Sequence, residues 1–116
     1  MKNKLNILIL DNNRDRLLTT TSLIKCCDDG GYCVDPKPSI DQDSYENNHY
    51  DVVFVHYGNL EADSIRDCDW NSDKAVIVYF GGEFRKDKKF RNGRWYVSPS
   101  FIGKKENICS LMKEII

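Results

Sequence analysis

The stretch DVVFVHYGN, residues 51–59, decides the fold. Its four consecutive apolar residues, Val52 to Val55, are typical of a strand that is buried on both faces of a sheet, because a strand with one wet face alternates polar and apolar residues. His56 follows directly, where such a strand leaves the core. The stretch therefore predicts a central parallel strand, and it raises the question of why an imidazole stands at its carboxyl end.

Four further apolar runs predict strands on either side of this one. They are Leu5–Leu10, Tyr32–Val34, Ala75–Phe80 and Trp95–Val97. Helices are predicted after the first run, where Asn12 and Asn13 are candidate caps, within residues 39–48 and 59–68, and at the C-terminus. Alternating strands and helices form right-handed βαβ units, so the sequence predicts an α/β fold with a doubly wound sheet of five parallel strands.

Length and composition are those of one globular domain, residues 1–116. Apolar residues make up 41% of the chain and charged residues 30%, which is ordinary for such a domain. No apolar run approaches the ~20 residues of a membrane span, and the N-terminus lacks the features of a signal peptide. We expect a cytoplasmic protein without a membrane partner.

The five cysteines predict neither a zinc site nor a disulfide framework. They form an odd set without a CxxC pair, and only two histidines accompany them, whereas structural zinc sites show paired ligands at short spacing. We expect five reduced and mostly buried thiols, with a redox role for the neighbours Cys26 and Cys27 as the alternative.

Four short motifs, taken in order, resemble the receiver domain of two-component response regulators over nearly the whole chain. "ILILDNN" resembles the first strand and its acidic pair, "YDVVFVH" the strand that ends on the phosphorylated aspartate, "AVIVYFG" the strand that ends on a hydroxyl residue, and "WYVSPS" the strand that ends on Lys-Pro. The resemblance implies a flavodoxin-like sheet of order 2-1-3-4-5 and a role in signal transduction.

The pocket that the resemblance implies has lost most of its chemistry. In the family, two acids hold magnesium beside an aspartate acceptor, a hydroxyl and a lysine; here those positions carry Asp11, Asn12, His56, Phe80 and Ser98, the last followed by Pro99. Magnesium needs oxygen ligands, and phosphoryl transfer depends on the charge that the metal and the lysine stabilise. We therefore expect a degenerate pocket with no catalytic residue, no metal and no cofactor, in a protein that is not an enzyme.

Three roles stay open for His56. It is an inert, hydrogen-bonded strand end, or it pairs with Asp11 as an imidazolium that replaces magnesium, or it accepts phosphate itself.

A basic segment, FRKDKKFRNGRWY, spans Phe84–Tyr96 between the last two predicted strands. Thirteen residues, 81–93, are near the lower limit for a parallel crossover, so the fourth helix is predicted to be short or missing. The segment is interpreted as a solvated loop, as a protein-binding surface, or as a nucleic-acid-binding surface in which bases and aromatics alternate. Its candidate partner-binding residues are Phe84, Arg85, Lys86, Lys88, Lys89, Phe90, Arg91, Arg94, Trp95 and Tyr96.

The charges are strongly separated along the chain, although the net charge is only −1. Residues 28–73 hold twelve acids and two bases, whereas residues 74–116 hold ten bases and four acids. Such a separation steers charged partners. We expect a phosphorylation-independent pseudo-receiver that binds a protein partner, with self-association included. The alternative is a small nucleic-acid-binding regulator, against which the pI near 6.1 counts.

Overall fold

A computed structural model describes residues 5–27, 31–39, 43–44, 48–56, 75–82, 88–91 and 93–115. Within these ranges the strands are β1 (Leu5–Leu10), β2 (Tyr32–Lys37), β3 (Val52–His56), β4 (Val76–Phe80), β5 (Lys88–Arg91) and β6 (Arg94–Val97). The helices are α1 (Arg14–Lys25), α2 (Pro99–Ile102) and α3 (Lys105–Ile115).

The strands form one sheet in the order β2-β1-β3-β4-β6-β5. The first five in this order are parallel to one another, which confirms the predicted parallel sheet of order 2-1-3-4-5. The addition is β5, which pairs antiparallel with β6. The fourth helix was predicted to be short or missing, and the described part of that crossover contains the extra edge strand β5.

Both faces of the central strands are buried. One face carries Ile9, Phe54 and Phe80, which pack against Ile24 of α1 and Leu111 of α3. The opposite face carries a second cluster that includes Leu8, Val53 and Ile77, all fully buried. This burial explains the unbroken apolar runs that the parallel strands show in the sequence.

Local signals explain several element boundaries. Asn13 is the N-cap of α1, as predicted, and its side chain accepts the backbone N–H of Arg16. Strand β2 continues through Pro36 to Lys37, beyond the predicted end at Val34, because it lies at a sheet edge where a proline is tolerated. The predicted helix at 59–68 and most of that at 39–48 lie outside the described residues.

The expectation of five reduced, mostly buried thiols is wrong. Cys27 and Cys109 form a disulfide with a Cα–Cα separation of 5.1 Å, and the free Cys26 and Cys33 are exposed. Because the two bonded residues are 82 positions apart, only the packing of α1 beside α3 brings them together. Cys68 lies outside the described residues.

None of the helices in the described part of the chain has the length and apolar composition to cross a membrane.

The disulfide should stabilise the fold by restricting the unfolded chain. We expect Cys109→Ser to lower the free energy of unfolding by about 2–4 kcal/mol, since the bond closes a long loop. We expect dithiothreitol to lower the free energy of unfolding of the wild-type protein by a comparable amount. Urea denaturation with and without the reductant measures both effects. Cys33→Ser is the control and should change neither value; a wild type that is insensitive to reductant would contradict the prediction.

Candidate functional site: a charged pocket and a basic hairpin

The carboxyl ends of the parallel strands bring the predicted pocket residues to one edge of the sheet. His56 pairs in register with Phe80, and Phe80 pairs with Val97, directly before Ser98. Asp11 directly follows Leu10, which pairs with Val55. Four positions far apart in sequence are therefore neighbours at the end of the sheet where doubly wound folds place their ligand sites.

Asp11 is held by a cation from within the chain. Its carboxylate is fully buried, and it accepts hydrogen bonds from Arg16 Nε at 2.5 Å, from Arg16 Nη2 at 2.7 Å and from the backbone N–H of Asn13 at 2.9 Å. The contact with Arg16 is bidentate, the strong form of an arginine–carboxylate pair. The carboxylate also lies at the N-terminus of α1, where the helix dipole favours a negative charge.

Arg16 thus supplies a cation beside Asp11, and the hypothesis that His56 also pairs with Asp11 stays a prediction. Arg16 stands five residues after Asp11, and the turn into α1 brings its guanidinium back onto the carboxylate. Sequence reasoning missed it because no pocket residue of the resemblance corresponds to it. A buried acid followed by an arginine in the first helical turn was the available signal.

His56 packs against an aromatic ring. It contacts Phe80 edge to face, with ring centroids 5.3 Å apart and an interplanar angle of 77°. Its Nδ1 atom is buried, and Phe80 itself is 1% exposed. The hydroxyl position of the resemblance is therefore a core position in this chain.

Ser98 and Pro99 start a short helix. The Ser98 hydroxyl accepts the N–H of Phe101 as N-cap of α2 and lies 3.2 Å from the hydroxyl of Ser100, while Pro99 occupies the first helical turn. Serine followed by proline is a common start of a helix. With an exposed fraction of 3%, Ser98 serves the local structure at the position where the resemblance places a lysine.

The pocket residues as arranged do not fit a magnesium ion. Both oxygens of Asp11 already accept from Arg16, whose positive charge opposes a second cation. Asn12 is exposed, and the imidazole of His56 is a poor ligand for so hard an ion. Within the described ranges, no three His, Cys, Asp or Glu side chains gather into a group that would hold a metal.

The basic segment forms a β-hairpin over its described part, instead of the solvated loop that was one of its interpretations. Arg91 pairs with Arg94 in register, so only residues 92–93 connect β5 to β6. Their sequence, Asn-Gly, is the strongest short signal for such a connection, and Gly93 has the positive φ, 77°, that the connection needs. This signal was present in the sequence and was missed. Phe84, Arg85 and Lys86 lie outside the described residues.

Successive side chains of a strand point to opposite faces of the sheet. The candidate partner-binding residues that the structure describes therefore lie on two different faces of the hairpin. Phe90 packs against Trp95 with ring centroids 4.9 Å apart. Lys88 shares their face, lies 5.8 Å above the Trp95 ring and forms an ion pair with Glu114 of α3 at 2.6 Å. These contacts attach the hairpin to the last helix.

The opposite face of the hairpin carries the remaining basic side chains. Lys89 pairs in register with Tyr96, and Arg94 donates a hydrogen bond to the hydroxyl of Tyr79 and stacks on its ring. Lys89 and Arg91 are exposed and belong to none of the ion pairs in the described part of the chain. This face therefore presents positive charge beside aromatic rings.

The pair between Arg16 and Asp11 should contribute to stability. Arg16→Ala leaves a buried carboxylate without its cation, which we expect to lower the free energy of unfolding by about 1–3 kcal/mol, less than for a fully buried pair because Arg16 is partly exposed. Urea denaturation of the single variants and of Asp11→Asn/Arg16→Ala gives the coupling energy. Arg14→Ala, an exposed arginine of the same helix, is the control; strict additivity in the double variant would contradict the prediction.

Comparisons with known proteins place the fold. No protein-family model matches this sequence, and no curated protein matches it either. Among solved structures, the chain is similar to the crystal structure of HP1043, an orphan response regulator of H. pylori, with a TM-score of 0.63, over 99% of this chain and 98% of that one. The two sequences are 12% identical, so the likeness shows the fold alone. The chain has a receiver-like fold.

Proposed function

We propose that this protein is a pseudo-receiver: a binding module that recognises a protein partner without being phosphorylated, and not an enzyme. The observation that carries the proposal is the bidentate contact between Arg16 and the buried Asp11. In a receiver pocket that carboxylate has to bind a metal ion for phosphoryl transfer. Here the positive charge is already supplied by the protein itself.

The rest of the pocket supports the same proposal. A transferring phosphoryl group needs metal ions and cationic side chains to stabilise its charge, and the position of the resemblance's lysine is occupied by a helix cap, Ser98. At the position where the resemblance places a hydroxyl that would hydrogen-bond to a phosphate, this chain has the buried ring of Phe80. Arg16 would hold the start of α1 in one arrangement, so the fold has a permanent state to present to a partner.

The hairpin is the surface that we assign to the partner. All four residues of β5 are exposed, and Phe90, with an exposed fraction of 58%, is one of two large hydrophobic side chains on the described surface that exceed half exposure. An exposed aromatic ring among basic side chains is typical of a binding surface. Self-association through this hairpin and α3 is one form that the partner can take.

A second candidate function, nucleic-acid binding, is favoured by one observation. Lys89, Arg91 and Arg94 lie on the same face of the hairpin as Tyr96, an arrangement that suits a phosphate backbone and a stacked base. Against it stands the acidic composition of residues 28–73. Fluorescence anisotropy with labelled oligothymidylate at increasing salt separates the two functions, because nucleic-acid affinity falls steeply with ionic strength.

Phosphorylation is the direct test of the proposal. Incubation of the purified chain with acetyl phosphate and magnesium chloride should give no covalent phosphate adduct in the intact mass spectrum. A conventional receiver domain, treated in parallel, should gain one phosphoryl group. A stoichiometric adduct on this chain, at His56 or elsewhere in the pocket, would overturn the proposal.

A further inference from the structure

We propose that β5 captures an extended acidic segment of a partner protein as an additional antiparallel or parallel strand of the sheet. The inference rests on the proposed function and names the chemistry of the partner. Strand β5 is the last strand of the sheet order, and within the described residues it pairs with β6 alone. Its outer edge is therefore available in that part of the chain for main-chain hydrogen bonds with another strand.

The hairpin register shows which peptide groups face outward. In an antiparallel ladder, residue pairs that exchange hydrogen bonds alternate with pairs that do not, and a two-residue connection is closed by a pair of the first kind. Arg91 and Arg94 form that closing pair, so Lys89 also bonds toward β6. The N–H and C=O groups of Lys88 and Phe90 are then directed to the open edge, where they offer two donors and two acceptors.

The side chains specify the partner. A strand added beside β5 places its own side chains next to those of β5 on each face. Lys89 and Arg91 point to one face, both exposed and outside the ion pairs of the described chain. Phe90 points to the other face, where Lys88 is occupied by Glu114. The complementary strand carries acids opposite Lys89 and Arg91 and an apolar residue opposite Phe90.

The same charges argue against a second copy of β5 as the occupant. Pairing two β5 strands would set lysines and arginines against one another, and like charges directly opposite destabilise a ladder. Basic residues on an edge strand are a known device against self-pairing. An acidic strand is not repelled but attracted by the same basic side chains, so they select an acidic partner.

Fluorescence anisotropy with a labelled octapeptide of alternating Glu and Val tests the inference on the full chain. We expect saturable binding, and we expect none for the matching octapeptide of alternating Lys and Val. Lys89→Glu/Arg91→Glu should lower the affinity for the Glu-Val peptide about tenfold or more, since two attractive cross-strand pairs become repulsive. The control is Lys104→Glu/Lys105→Glu, which makes the same charge change at two exposed residues near the start of α3 and should leave the affinity within about twofold, because distant surface charges are screened.

Two substitutions of one residue separate the backbone contribution from that of the ring. Phe90→Pro removes an outward N–H and spares the hydrogen bonds to β6, so the hairpin tolerates it as an edge strand does, whereas Phe90→Ala removes the ring and keeps the N–H. We expect the proline variant to bind the Glu-Val peptide more weakly than the alanine variant. Circular dichroism of both variants confirms that they are folded.

The outcomes distinguish this inference from the proposed function. All titrations are run with and without magnesium and acetyl phosphate. Absence of binding under both conditions, equal weakening by the control pair, or displacement of the peptide by oligothymidylate overturns strand capture and leaves phosphorylation independence standing. Binding that requires acetyl phosphate overturns the proposed function and leaves strand capture standing.

Discussion

A carboxylate withdrawn from water has to be neutralised where it lies, and Asp11 meets this constraint with Arg16. The residue is fully buried at the end of β1, so its charge requires hydrogen bonds and a cation close by. The turn into α1 supplies both, the N–H of Asn13 and the guanidinium of Arg16. The contact fixes the start of the helix that covers one face of the sheet. It also determines the chemistry of the pocket, because both oxygens of the carboxylate already accept hydrogen bonds from a cationic side chain of the protein.

The second determining feature is how the chain crosses from β4 to β6. Only residues 81–93 are available for the crossover, and the described part of this segment includes an antiparallel strand, β5. The sheet therefore ends in an exposed basic edge. At the opposite edge, β2 contains Pro36. Both edges carry residues that discourage indiscriminate strand pairing. The basic edge differs in one respect, because by our proposal its charges also select an acidic strand as the one that can pair with β5.

The sequence predicted the central strands β3 and β4 well because each contains an unbroken apolar run, a pattern that follows from burial on both faces and needs no knowledge of neighbours. It predicted the α1 cap for a similar reason, since an asparagine before a helix acts on the nearest N–H groups. The pocket positions were predicted to meet at one edge, and they do, because strand ends in a parallel sheet share an edge. The hairpin was missed although its Asn-Gly connection is a local signal, because the segment was interpreted as a short crossover between two parallel strands, which leaves no place for an antiparallel one.

By itself, then, the sequence determined the strand pattern and the residue types at the pocket, and its resemblance to receiver domains implied the sheet order. Only the tertiary structure decided which groups pair there. It joined Asp11 to Arg16, a pair that the sequence analysis had not named. It joined Cys27 to Cys109 across 82 positions, and it placed the side chains of the basic segment on the two faces of a hairpin. The physical reason is the range of the interactions. Burial and capping act on residues close in sequence, whereas ion pairs, disulfides and cross-strand contacts depend on distances that exist only after the chain has packed.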